Sequence, residues 1–117
     1  QRLVKVLCPD CRAPGAVGPE EARLLAPEEL EKLSTVYRAV GCRSCAQTGM
    51  RGRRPIFEVM PISTPKMREL ILAGASVDAL ATCAVEEGMT TLRQAALGAV
   101  ARGETSLPEA LKIILAD

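Results

Sequence analysis

Four of the five cysteines in this chain fall into two pairs of equal spacing, Cys8 with Cys11 and Cys42 with Cys45, separated by thirty residues. No other feature limits the fold so strongly. A C-x-x-C turn brings two sulfurs towards one ion, and two such turns supply sulfur to all four corners of a tetrahedron. The chain contains no histidine, which removes mixed Cys/His sites, a histidine general base and a Ser-His-Asp triad. The spacing therefore predicts a zinc site made by Cys8, Cys11, Cys42 and Cys45. Such a site is structural, because four thiolates leave no coordination position for water or substrate. An iron–sulfur centre uses the same ligands and stays open as an alternative. A redox pair would need only one knuckle, and disulfides fit poorly with an odd cysteine count and no secretory leader. Cys83, far from both pairs in an apolar helical stretch, reads as a small buried hydrophobe.

Composition narrows the function classes further. Apolar residues make up 48% and charged residues 25% of the chain, a balance that supports a folded core. Tyr37 and Phe57 are the only aromatics, so the core is aliphatic and base stacking has little to use. The net charge of +1 is too balanced for bulk attraction to nucleic acid or anionic lipid. Locally the picture differs, since no acidic residue occurs between Lys32 and Phe57, a stretch that includes Arg38, Arg43, Arg51, Arg53 and Arg54. These arginines suit a partner contact, a phosphate or phospholipid contact, or compensation of a zinc–tetrathiolate centre of charge 2−. A zinc-ribbon module that binds nucleic acid through the 38–54 stretch is the alternative functional class. No G-x-x-x-x-G-K-[ST] phosphate loop is present, so this chain by itself is not expected to hydrolyse nucleotides. No apolar run reaches the roughly 18 residues of a membrane span. Glu86 and Glu87, at a helix end, read as solvated or bonded to an arginine rather than catalytic.

The pattern along the chain predicts an α+β protein. Residues 2–7 read as a strand, residues 27–33 as a helix opened by Pro27, and residues 36–40 and 55–61 as further strands. Four helices follow. The first is capped by Thr64 and stopped by Gly74, the second capped by Ser76 and stopped by Gly88, and the third capped by Thr90 and ended near Gly103. The fourth has capping-box spacing at Ser106 and Glu109, with Leu107, Leu111, Ile114 and Leu115 as its apolar stripe. This gives three parts: a strand over 1–7, a small tetracysteine lobe with short strands over 8–50, and a mostly helical lobe over 51–117. The helical lobe is expected to own a separate apolar face.

Several segments, in order, resemble the C-terminal part of the type II secretion and type IV pilus-assembly ATPase family. Gln1, Arg2, Leu3 and Val4, then Leu7 and Cys8, look like the family's QRLV-x-x-LC entry. Gly41, Cys42 and Cys45, then Thr48, Gly49, Gly52 and Arg53, resemble its GCxxC-x-x-TGYxGR motif, with Met50 in place of the aromatic. Ile56, Phe57 and Glu58 are similar to its IYE. Gly88, Met89, Thr91, Leu92 and Arg93 match GMxTLR, and the 103–109 stretch resembles its GxTTxEE ending. Pro55 stands where Gly or Ala is common, and Ala95 and Ala96 replace Asp-Gly.

The resemblance implies a zinc-binding subdomain and helical tail belonging to a RecA-like motor. The motor would be hexameric, cytoplasmic and peripheral to the bacterial inner membrane, using ATP and Mg²⁺ bound by parent segments outside this chain. Its implied partners are the rest of the ATPase, neighbouring subunits and inner-membrane platform proteins, with peripheral membrane contact and no nucleic acid. The start at Gln1, without an initiator Met, fits the expectation of a piece of a longer protein.

Overall fold

The computed structural model describes residues 1–116, and the fold is α+β. Strand β1 (Arg2–Leu7) pairs antiparallel with β4 (Met50–Ile56), and β2 (Ala13–Gly15) pairs antiparallel with β3 (Val36–Arg38). Helices α1 (Pro19–Ala22) and α2 (Pro27–Glu31) lie between β2 and β3. Both start with proline, and the Glu21 and Glu29 carboxylates reach back to accept from the Gly18 and Ala26 N–H groups at 3.0 and 2.7 Å. Each carboxylate satisfies a backbone donor at a helix start and favours the positive end of the helix dipole.

The fourth strand does not lie at residues 55–61. The apolar residues Ile56, Val59 and Met60 point to a strand there, but the segment that pairs is residues 50–56, because β1 is its partner. In that register Val4 stands opposite Arg54 and Arg2 opposite Ile56. Val4 and Ile56 are buried while Lys5, Arg53 and Pro55 stay exposed. Residues 57–63 have no regular structure.

The last four helices are α3 (Pro65–Leu72), α4 (Val77–Glu86), α5 (Leu92–Ala101) and α6 (Leu107–Ala116). Thr64 and Ser76 cap α3 and α4 by accepting from Met67 and Ala79 N–H groups at 3.2 and 3.1 Å. The α5 cap is Thr91, not Thr90: its hydroxyl accepts from Gln94 N–H, and the Gln94 side chain accepts from Thr91 N–H in return. Position 91 wins because Gln94 is the residue three ahead that closes this reciprocal box. Glu58 adds a long-range contact, accepting from Leu92 N–H at 2.8 Å. In α6 the buried stripe is Leu107, Ala110, Leu111 and Ile113, whereas Leu115 is 63% exposed.

Two apolar clusters result among the described residues. The larger joins Val4, Leu25, Leu33, Val36 and Ile56 to the inner faces of α5 and α6. These two helices therefore share their apolar face with the cysteine-containing half. The smaller cluster, Met67, Cys83 and Ala84 with Leu70, Leu80 and Met89 around them, belongs to the α3–α4 hairpin. Cys83 is buried as expected. Glu86 pairs with Lys66 at 3.3 Å, a lysine rather than an arginine. The chain measures 56 × 28 × 20 Å with a radius of gyration of 17.0 Å, against roughly 13 Å for a compact domain of this length.

Candidate metal centre

The two knuckles lie at one end of the β1–β4 ribbon. Cys8 directly follows β1, and Cys45 precedes β4 in a 3₁₀ turn over Arg43–Cys45. Leu7 stands opposite Met50 in the ribbon, and Cys8 N–H donates to the Gly49 carbonyl at 2.9 Å. Strand pairing thus brings the two knuckles together despite their separation in sequence, Cys8 facing Cys42 and Cys11 facing Cys45.

All four Sγ atoms lie within 4.8 Å of one another. Cys8 and Cys42 are 3.8 Å apart, Cys11 and Cys45 3.8 Å, and Cys42 and Cys45 3.7 Å. A zinc–sulfur bond of about 2.3 Å gives a tetrahedron with edges of about 3.8 Å. Three of the sulfur separations match those edges, so the set could hold one ion, and all five cysteines are free thiols rather than disulfides. Sulfurs this close enclose a single ion, with no room for a multi-iron cluster between them. Tetrahedral S₄ coordination suits zinc or a single iron.

Backbone amides support the sulfurs. Gly41 N–H donates to Cys11 Sγ at 3.3 Å, and Cys42 and Gly49 N–H both donate to Cys45 Sγ, at 3.2 and 3.1 Å. Such donors stabilise thiolate and offset the charge of the centre. Their positions need an unusual backbone. Ala46 and Gln47 have φ of 54° and 68°, and Gly49 has φ of 76°. A Cβ on Gly49 would fall 2.6 Å from the Ala39 Cβ, so only glycine brings its N–H against Cys45. Burial works to raise the Cys45 thiol, but the Cys42 and Gly49 amides and the neighbouring Cys42 and Cys11 thiols bring it down to about 6. At Cys42 the Cys45 amide favours the thiolate, yet desolvation and the Cys45, Cys11 and Cys8 sulfurs together push it up to about 11.

The five arginines of the basic stretch do not converge. Arg51 bridges the knuckles on the outside, donating to Ser44 Oγ at 3.1 Å with Asp10 at 3.6 Å. Arg38 forks onto Glu21 at 2.7 and 3.0 Å and donates to the Ala16 carbonyl. Arg54 pairs with Glu104 at 2.7 Å. Arg53 is exposed opposite Lys5 in the ribbon, and Arg43 is exposed in the 3₁₀ turn of the second knuckle. Three of the five, Arg38, Arg51 and Arg54, thus pair with carboxylates within the chain.

Arg12 and Arg93 have positional roles that composition did not reveal. Arg12 follows Cys11, stacks over Tyr37 with 4.4 Å to the ring centroid, and donates to the Gly103 carbonyl. Arg93, at the start of α5, forks onto Glu29 with two 2.8 Å bonds and donates to the Leu24 carbonyl at 3.0 Å. These two residues, with Leu7 N–H donating to Glu104 and the Thr105 hydroxyl donating to Lys5, fasten α5 and α6 to the cysteine-containing half. The only advance signal was Arg93, which falls in the segment resembling GMxTLR.

The family model for the Type II/IV secretion system protein matches residues 1–112. The chain is similar to the Type IV pilus assembly ATPase PilB of Myxococcus xanthus, 40% identical over 93% of this chain and 19% of that relative. It is 38% identical to the Type II secretion system protein E of Aeromonas hydrophila over its whole length and 23% of the relative. The Type II secretion system ATPase E of Vibrio cholerae is 34% identical over 97% of this chain and 22% of its own length. The chain thus spans about a fifth of the length of the curated relatives it matches.

Proposed function

Because the chain belongs to the Type II/IV secretion system protein family, we propose that it is a noncatalytic, zinc-stabilised module of a secretion or pilus-assembly ATPase. The observation that carries this reading is the set of four sulfurs at single-ion separations. Cys8, Cys11, Cys42 and Cys45 would hold Zn²⁺, which supplies a covalent-strength crosslink and no reactive position. Around it, Arg51 offsets charge, while Arg12 and Arg93 transmit the geometry of the knuckles to α5 and α6.

In this reading ATP and Mg²⁺ act on other segments of the parent, since the chain has no phosphate loop of its own. The module contributes to protein contacts: with the rest of the ATPase, with neighbouring subunits of a hexamer, and with inner-membrane platform proteins. No helix among the described residues is long and apolar enough to cross a membrane, which is compatible with a cytoplasmic position peripheral to the inner membrane. The nucleic-acid alternative is disfavoured, because the chain offers only two aromatics for base stacking and a net charge of +1.

Elemental analysis of the purified, reduced chain should give one zinc per chain, and Cys8→Ser or Cys42→Ser should abolish it. Cobalt substitution should give the intense visible bands of a tetrahedral tetrathiolate. Metal-free protein with reduced thiols, or iron in place of zinc, would overturn the assignment.

A further inference from the structure

A second site lies away from the cysteines, where the end of β4 meets α5. A cavity of about 360 Å³ opens there, lined in part by Arg54, Phe57, Gln94, Gly98, Arg102 and Glu104. Its size suits a small ligand or one or two side chains of a partner.

Three observations single it out. First, Arg54 and Arg102 both bind one carboxylate, Glu104, at 2.7 and 3.1 Å, each through a single terminal nitrogen. A guanidinium has five N–H donors. Glu104 therefore holds two cations in place while satisfying only part of their donor capacity, leaving the cluster with a net positive charge. Second, Phe57 is the sole phenylalanine in the chain, yet it is 53% exposed at this cavity. Third, Gly98 sits inside α5, where glycine weakens a helix relative to alanine. A Cβ at that position would lie 3.2 Å from Arg102 Nη1. A methyl group there would push the Arg102 guanidinium aside by a few tenths of an ångström.

Beyond the cavity the chain continues through residues 57–63, which have no regular structure and expose Val59, Met60 and Ile62 as well as Phe57. Glu58, the carboxylate within this lane, is occupied by Leu92 N–H. Pro55 removes an N–H from β4, which works against docking by strand addition. Recognition would therefore rest on side chains.

We infer that the Arg54–Arg102 cavity and its Phe57 lane bind an acidic, apolar-flanked segment of a partner protein, with one partner carboxylate placed on the two guanidiniums. Charge complementarity selects the carboxylate, and the exposed apolar lane selects its neighbours. The inference is independent of whether the cysteines carry zinc.

The test is a ¹⁵N-correlation titration of the metal-loaded chain with the peptide acetyl-Ala-Leu-Glu-Leu-Ala-amide and its Gln counterpart. The Glu peptide should shift the Phe57, Gly98 and Arg102 amides, and the Gln peptide should bind about tenfold more weakly. Arg102→Gln should weaken the Glu peptide by a similar factor. Gly98→Ala should also weaken it while leaving Tm unchanged or raised, a combination that loss of folding cannot produce. Equal binding of the two peptides, or shifts elsewhere on the chain, would overturn the inference. So would tighter binding of inorganic phosphate or AMP at the same amides, or self-association of the chain that displaces the peptide.

Discussion

Glu29 is the most informative place to perturb the join between the cysteine-containing half and α5. Its carboxylate accepts two 2.8 Å bonds from Arg93 and one of 2.7 Å from Ala26 N–H. The Arg93 hydrogen bonds, aided by the Ala26 amide and by the charges of Arg93 and Lys32, outweigh burial and bring its pKa from 4.5 to about 2. A group whose folded value lies below its unfolded value adds stability at pH above about 4.5. That stability is lost as pH falls through about 2. Taken at face value the shift would be worth about 3 kcal/mol. Arg93 is 41% exposed, so solvent screening reduces this to about 1–2 kcal/mol.

Glu29→Gln keeps the shape of the side chain and an acceptor for Ala26 N–H, but removes the charge. It should lower Tm at pH 7 by about 4–8 °C, measured by circular dichroism at 222 nm. The gap between wild type and variant should hold from pH 7 to about 5 and close below 4.5. Because both proteins would lose thiolate-bound metal in acid alike, the difference between them isolates Glu29. Equal Tm values at pH 7, or a gap that persists undiminished at low pH, would refute the argument that this ion pair carries the join.

Two further substitutions test other parts of the fold. Met67 is fully buried in the small α3–α4 cluster, so Met67→Ala should cost about 2–4 kcal/mol. The loss should appear as early amide exchange confined to residues 65–89, and uniform acceleration across β1 and α5 would show that the hairpin has no separate core. Gly49→Ala should reduce zinc retention in a chelator competition, because its Cβ would collide with Ala39 and move the amide that donates to Cys45. Unchanged retention would mean that this donor is dispensable.

Much of the site was legible because its chemistry is local. Each C-x-x-C pair needs only a tight turn, and the absence of histidine left no competing ligand type. The caps at Thr64 and Ser76 are likewise contacts over three residues. What could not be read depended on distant partners. β4 occupies residues 50–56 because β1 supplies its hydrogen bonds, a fact invisible in the apolar residues at 56, 59 and 60. Thr90 and Thr91 are equivalent as cap residue types, and only the reciprocal bond to Gln94 separates them. Leu115 fits the α6 stripe by spacing, but Ile113 and Ala110 are the residues that face the larger cluster. The arginines showed the same limit: their proximity in sequence did not indicate that Arg38, Arg51 and Arg54 serve three different carboxylates.

The position of the knuckles at the end of the β1–β4 ribbon has a consequence for the order of folding. The α3–α4 and α5–α6 pairs involve neighbours in sequence, whereas Arg2 must find Ile56 and Leu7 must find Met50. Contacts of such separation close late, after local helices have formed. Until they do, the two thiol pairs are held apart, each a weak half-site on a loose chain. Metal capture is then expected to coincide with closure of the ribbon. It would lock the register at its Leu7–Met50 end, where a slip of one residue would turn Val4 and Ile56 out of the larger core.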